Sequence, residues 1–587
     1  MSLTRKIIIF NILIILAGVL SQCAPPGKPS LAPEEESMGR PRKIPVDTLE
    51  PVIHPRRVEK ARRRDLTGPD PIVRVGVMEE YDRIEFSVQG PFDIISQGGA
   101  IILSEEESED RFRVFPDETQ EARVNFSILV TAFADRDSAE EVKEHLAMKG
   151  HPARIAEIGD AVYMNGKLIA FNVKYRVLVG RYLLEREAKP HLEDFKRDFA
   201  PRIIRQVIKP ATGTLSLINL SNNQKITLND GFRIIPRSPE TRITLYNVRE
   251  GTGYHWEREV DRQYRGIVEV RIDHRALLMA FVELPLEVYL QGVVPSEMSP
   301  QFPLEALKAQ AIAARSEVFA KMGAKHPNDP FDLCAHVHCQ AYTGCTQEDP
   351  RTTQAVEETR GMVLTQNNLV VEAVYSSMCG GHTENKINVW NPPAADHLTG
   401  VWDSNHPHET FAQLDLRRET DLERWVQLKP DVYCNTANNP DLPYYLQRTE
   451  ENFRWEVTYS RQELESIIKR KTGEDIGELV DIVPLQRGVS GRLMEIEIIG
   501  TQKTLRIQRE LNIRSALALR YLKSACFAIS YETDDQGRPI LFHLKGAGWG
   551  HGVGMCQVGA AVMAFQGKTY DQILQHYYPH TQISKIY

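Results

Sequence analysis

Residues Val293–Met322 read VVPSEMSPQFPLEALKAQAIAARSEVFAKM, a single acidic residue, Glu297, ahead of a long alanine-rich run. Leu304, Leu307, Ala311, Ala314 and Val318 recur at helical spacing, Pro303 suits a first helical turn, and the alanines allow close approach to a neighbour. The pattern predicts a helix buried on at least one side, with Glu297 in a tight turn before it. Val293, Val294, Pro295 and Met298 give the carboxyl an apolar setting. Such a setting raises a carboxyl pKa and keeps a proton available near neutrality, as a general acid requires. The competing reading is an acidic residue favoured by the exposed N–H groups of a helix start. The residues alone leave both open.

The chain has 587 residues, 42% hydrophobic and 26% charged, enough for substantial cores in more than one domain. Its net charge of −8 gives no reason to expect nucleic acid as a partner. Arg5 and Lys6 precede an apolar run, Ile7 to Leu20, the length of an export-signal core and short of the about 20 residues of a membrane span. Leu20-Ser21-Gln22-Cys23 resembles a bacterial lipobox, which implies cleavage of residues 1–23, lipidation of Cys23 and a membrane anchor in the cell envelope. Residues 24–71, rich in proline and arginine, read as a linker.

From Ile72 the runs IVRVGV and IEFSV alternate as β-strands do. VNFSILVTAF, 124–133, reads as a strand, Ser138–Lys149 as a helix, and YRVLVGRY, 175–182, as a second strand followed by helix from Glu185. YRVLVGRYLLEREA and ILVTAFADRDSAEEV resemble the two halves of the SPOR domain, with Thr131 where that family usually has glycine. The resemblance implies a small ferredoxin-like module that binds glycan strands stripped of their stem peptides. Strand-like runs then resume, from GTLSLINL to LLMAFVELPLEVYLQGVV, so the module reads as an insertion. The expected organisation is strands at 72–120, the SPOR-like module at 121–204 and a β-rich domain with the buried Ala-rich helix at 205–587, α+β overall.

Three blocks, LPLEVYLQGVVPSEMSPQFPLEALKAQAIAARS from Leu284, CQAYTG followed by VYSSMCGGHTENKINVW, and GAGWGHGVGMCQVGAAVMAFQGKTYDQILQHYYPHT from Gly546, together resemble the stage II sporulation protein D / LytB family. The resemblance implies a lytic transglycosylase acting on denuded peptidoglycan, with Glu297 at the catalytic position. An acid protonates the glycosidic oxygen and the sugar's own C6 hydroxyl closes a 1,6-anhydro ring, so one carboxyl suffices where hydrolases need two. It also implies substrate contacts from Tyr342, Ser376, Ser377, Gly380, Gly381, Trp549, His551 and Gln557. The second implied class is a non-catalytic glycan-binding scaffold or modifier of a cell-wall amidase. The glycine-rich Gly546–Gly554 run carries no Lys-Ser/Thr, which argues against a phosphate loop.

Three of the eight cysteines fall between 334 and 345 among histidines, a spacing that suits tetrahedral zinc. The family resemblance points to His326, Cys334, His338 and Cys339, with His336 and Cys345 as competitors. A full set of protein ligands leaves no open position, so the expected zinc is structural, and a zinc hydrolase would need a vacant one. Disulfides among Cys334, Cys339, Cys345 and Cys379 are the alternative.

Overall fold

Alternation along Ile84–Gln89, Arg111–Gln120 and Gly231–Pro236 turns Phe86, Phe112 and Phe232 into one interior. Phe86 stacks on Phe112 with ring centroids 5.1 Å apart and meets Phe232, from the opposing sheet, at 6.1 Å. This computed structural model describes residues 62–587, apart from 108, 197, 252–256, 391–393, 406–408 and 448. The apolar run, Cys23 and most of the expected linker lie outside the described residues.

The two facing sheets are built from distant segments. One runs, in spatial order, Leu333–Cys334, Ile72–Tyr81, Leu278–Pro285, Ile267–Ile272, Gly231–Pro236, Phe92–Ser96 and Ile101–Glu105. The other runs Lys225–Asn229, Thr212–Asn219, Arg111–Gln120, Ile84–Gln89, Arg242–Glu250 and Arg258–Tyr264. Strands before and after residues 121–204 thus share both sheets. Arg111–Gln120 pairs directly with Thr212–Asn219, so what lies between them is an insertion.

The inserted unit has four antiparallel strands in the order Arg202–Lys209, Arg123–Phe133, Lys174–Tyr182, Ala153–Ile158. Numbered along the chain this is 4-1-3-2, the split βαβ arrangement of ferredoxin-like folds. Helix Arg136–Met148, capped by Asp135, buries Val142 and Leu146 in a core with Ile128, Val130, Val177 and Val179. The last strand extends past the expected limit at 204, because its pairing with Arg123–Leu129 continues to Lys209.

Between the second and third strands a hairpin, Ala161–Met164 and Lys167–Phe171, leaves the unit and takes Arg63–Leu66 as a parallel partner. The expected linker is therefore folded from Arg63 onward. Arg64 finds the buried Asp332 carboxylate, its Nη2 2.8 Å from Oδ2, so this arginine is spent on the fold. Asn172 closes the hairpin by donating to the carbonyls of Phe319 and Met322 at 2.7 and 3.0 Å.

Those carbonyls end the helix Leu304–Lys321, around which the larger domain packs. Its residues from Ala309 to Phe319 are all buried, so the expected burial on at least one side extends to every side. A departure concerns Glu297. Helix Leu286–Glu297 precedes the alanine-rich helix, Pro295 lies within its last turn, and Pro303 stands just outside the next helix as its cap. Glu297 thus ends a helix instead of preceding one, and the helix-start explanation of its position falls away.

Residues 454–545 hold two further three-stranded sheets and helices Arg461–Thr472 and Glu510–Ala516 around a separate apolar cluster that includes Leu464, Ile496, Ile513 and Phe542. Residues 205–587, expected as one domain, therefore contain two cores. Among the described residues no helix is long and apolar enough to cross a membrane.

Candidate active site around Glu297

Helix Leu286–Glu297 reaches its position because Gly292 lets the loop 342–344 lie against it. A Cβ there would stand 2.4 Å from the Gly344 carbonyl and 2.7 Å from the Tyr342 ring. The same loop turns the Ala341 amide toward Glu297, donating to Oε1 at 2.6 Å. An amide can only donate, so Oε1 is the accepting oxygen and a proton on this carboxyl belongs on Oε2.

Burial pushes the Glu297 pKa up to about 7, against the opposing pull of the Ala341 amide, the Lys321 charge and a Tyr375 hydrogen bond. The single Tyr375 hydroxyl proton is shared between this carboxyl and Gln340 Oε1, 2.8 Å from the tyrosine oxygen. Gln557 holds the end of the acid's helix from below, donating to the Glu297 carbonyl at 3.0 Å and lying 3.2 Å from Gln310 of the central helix. Lys321 spans 2.5 Å to Glu317 and 2.9 Å to the Cys339 carbonyl.

The expected substrate contacts fall into two groups. Ser376, His551 and Gln557 lie with Tyr375 at this site: Ser376 pairs with Cys556 next to Gln557, and His551 hydrogen-bonds the Tyr375 backbone. Burial, with Arg492 and Arg514 nearby, lowers the His551 pKa to about 3, so the ring is neutral, and its Nδ1 accepts from the Val553 amide at 3.0 Å. The Ser376 Oγ is buried without a hydrogen-bond partner. Trp549 is 39% exposed and bridges to Met378, next to Ser377, whose carbonyl accepts from the Val558 amide.

Tyr342, Gly380 and Gly381 are placed differently. The Tyr342 ring is buried against Tyr289, centroids 4.9 Å apart, and supports the acid's helix. Gly380 and Gly381 adopt positive φ in a buried turn, and the close approach they permit is to the Ala547–Gly548 backbone and the Trp425 ring.

His326, Cys334, His338 and Cys339 converge, their ligand atoms all within 4.8 Å of one another. His326 Nε2 lies 3.3 Å from Cys339 Sγ, and His338 Nδ1 lies 3.6 and 3.8 Å from the sulfurs of Cys334 and Cys339. Nitrogen and sulfur ligands of a tetrahedral zinc stand about 3.6 Å apart, so the side chains fit the ion. Asp329 holds the other His326 nitrogen at 2.9 Å, as a carboxylate does behind a metal-bound imidazole. Cys345 bonds instead to the Gln263 carbonyl at 3.2 Å, and His336 is outside the cluster. All seven described cysteines are free thiols.

Residues 275–366 match the family model of the stage II sporulation protein, SpoIID. An uncharacterised protein of Brachyspira hyodysenteriae is 30% identical over 307 residues, 52% of this chain and 68% of the relative. This chain carries a SpoIID domain. Stage II sporulation protein D of Bacillus subtilis is 27% identical over 328 residues, 53% of this chain and 78% of that protein. The amidase enhancer of Bacillus subtilis is 27% identical over 302 residues, 50% of this chain and 40% of the enhancer. Residues 384–554 match a separate domain of unknown function, which spans most of the second core.

Within the SpoIID domain, sequence reasoning missed the Ala341 amide, Gln340 and Lys321, and Tyr375 just beyond it. Gln340 and Ala341 lie in the CQAYTG block and Tyr375 opens YSSM, so the blocks pointed at the right loops. A backbone donor carries no side-chain signal, and only the folded loop reveals it.

Proposed function

We propose that this chain binds peptidoglycan and cleaves its denuded glycan strands as a lytic transglycosylase, with Glu297 as acid and then base. The observation that carries the reading is a carboxyl with a pKa raised to about 7, with one oxygen accepting from a backbone amide and the other able to carry a proton. Oε2 gives its proton to the glycosidic oxygen as the bond from muramic acid C1 breaks. The muramic C6 hydroxyl attacks C1 and passes its own proton to the carboxylate, which ends as it began. The products are a 1,6-anhydro end and a new 4-hydroxyl end. No water is consumed.

The Ala341 amide stabilises the carboxylate formed midway. Ser376, with its unpartnered buried hydroxyl, and Ser377 are read as hydrogen-bonding groups for a sugar, and the neutral His551, both ring nitrogens engaged by the Tyr375 and Val553 backbone, holds that loop in place. The exposed Trp549 offers a stacking face. His326, Cys334, His338 and Cys339 would hold a zinc ion that fixes the 334–345 loop, and through it the Ala341 donor. The ferredoxin-like unit is read as a SPOR-type binder that concentrates the site on its substrate. An exported, Cys23-anchored envelope location suits this role.

The amidase enhancer among the relatives supports a second reading, a glycan-bound modifier of a cell-wall amidase. Mass spectrometry of amidase-stripped strands after incubation with the full chain, beside Glu297→Gln, separates the two. Anhydro-muramic ends formed by the wild type alone support the lyase. Binding without cleavage by either protein supports the modifier.

A further inference from the structure

Cys379, Asp403, Cys434 and Cys556 meet in the interior, 2%, 0%, 0% and 0% exposed, with one ligand atom from each within 4.8 Å of all the others. Cys379 and Cys434 place their sulfurs 3.7 Å apart. A disulfide needs about 2.05 Å, whereas two thiolates on one tetrahedral zinc, each at about 2.3 Å, stand about 3.8 Å apart. The backbone around the sulfurs donates to them as it does to metal-bound thiolates: Gly381 N–H to Cys379 Sγ at 3.3 Å, and the N–H groups of Cys379 and Gly559 to Cys556 Sγ at 3.2 and 3.4 Å.

Asp403 is oriented from two sides. The Cys434 amide donates to one oxygen at 2.8 Å and the Tyr577 hydroxyl to the other at 2.5 Å. Space for the carboxylate depends on Gly559, where a Cβ would lie 2.5 Å from Asp403 Oδ1 and 2.2 Å from the Tyr577 oxygen. The nearby Arg454 spends its hydrogen bonds on the carbonyls of Leu428, Gly380, Phe453 and Trp425. Among the described residues, no Lys or Arg ion pair reaches Asp403. Sulfur and carboxylate donors buried together call for a cation, and thiolates select a thiophilic one.

We infer that these residues form a second metal site, holding a zinc-class divalent ion through three sulfurs and one carboxylate oxygen. The ion displaces the thiol protons and joins four separate stretches of chain. Cys379 follows Tyr375–Ser376, and Asp403 and Cys434 come from the segment matching the domain of unknown function. Cys556 caps helix Gln557–Phe565, whose first residue bonds the Glu297 carbonyl. The ion therefore fixes the floor beneath the acid while standing outside the reaction.

The test is zinc content of the full chain purified with Zn²⁺, for wild type, Cys434→Ser and the Cys334→Ser/Cys339→Ser pair, with X-ray absorption on the last. Cys434→Ser is expected to hold about one zinc fewer than wild type. The zinc kept by the double variant is expected to show sulfur and oxygen neighbours without imidazole scattering. Equal zinc in Cys434→Ser and wild type, or a Cys379–Cys434 disulfide in peptides mapped without reductant, overturns the site. If Cys434→Ser does not fold, the double variant decides, and loss of all its zinc or the appearance of imidazole scattering overturns the site.

Discussion

The two glutamates of helix Leu286–Glu297 sit in opposite electrostatic settings. Glu287, in the first turn, is clamped by Arg315 of the central helix, Nε to Oε1 at 2.8 Å and Nη2 to Oε2 at 2.7 Å, with the Tyr587 hydroxyl on the same carboxylate. Arg315 is fully buried and also donates to the carbonyls of Met362 and Val356. Glu297, one helix length away, ends the same helix, where the backbone dipole opposes a negative charge, and no arginine touches it. One carboxylate is a strut in a buried ion pair, and the other is pushed toward its neutral form by burial. The same residue type on one helix becomes architecture or chemistry according to whether an arginine grips both its oxygens.

Breaking the strut should have the largest effect. Arg315→Ala leaves the Glu287 charge buried and unpaired and is expected to cost about 3–5 kcal/mol of stability, read as a fall in the denaturant midpoint. A change under about 1 kcal/mol would show that the pair is dispensable and erase the contrast.

Glu297→Gln should leave the fold intact and lower strand cleavage by about 10²–10⁴-fold, measured as anhydro-muramic product formed per unit time. Retained cleavage would move the acid elsewhere. Wild-type cleavage should also decline as pH rises past about 7, where Glu297 loses the proton it must donate.

The same variant carries a pH-dependent stability signature. A carboxyl pKa raised on folding penalises the charged form, so wild-type stability from this group is full below the unfolded value and is lost as pH rises toward about 7. Glu297→Gln should match wild type at pH near 4 and exceed it above pH 8 by up to about 3 kcal/mol. Melting curves at the two pH values provide the comparison, and a variant less stable at both would contradict the raised pKa.

Trp549→Ala should have the smallest effect, about 1 kcal/mol or roughly fivefold in strand binding, with the Glu297 pH profile unchanged. Isothermal titration with denuded strands reads the first and cleavage against pH the second.

Much of this protein was legible along the chain. The alternation of IVRVGV and IEFSV, the strand–helix halves at 124–199 and the apolar periodicity after Leu304 each express local physics, and each became the expected element. The zinc-type quartet was legible in part because three of its members fall within six positions, so short spacing did the work of folding.

What local pattern could not carry was decided in three dimensions. Pro295 reads as a breaker, so the helix that ends at Glu297 was hidden behind it, and Arg63 and Arg64 read as part of a charged linker until Asp332 and strand Ala161–Met164 received that segment. Tyr342, a substrate contact by family resemblance, is buried against Tyr289, because exposure belongs to the assembled surface and not to the residue. By itself the sequence determined which segments could be helix or strand, the presence of an acid in an apolar setting, and the family blocks around it. Only the tertiary structure decided which oxygen of Glu297 accepts from the Ala341 amide, which glutamate meets Arg315, and that Cys379, Asp403, Cys434 and Cys556 share one interior. Those outcomes depend on groups far apart in the chain reaching hydrogen-bond or ligand distance, and no periodicity encodes such a meeting.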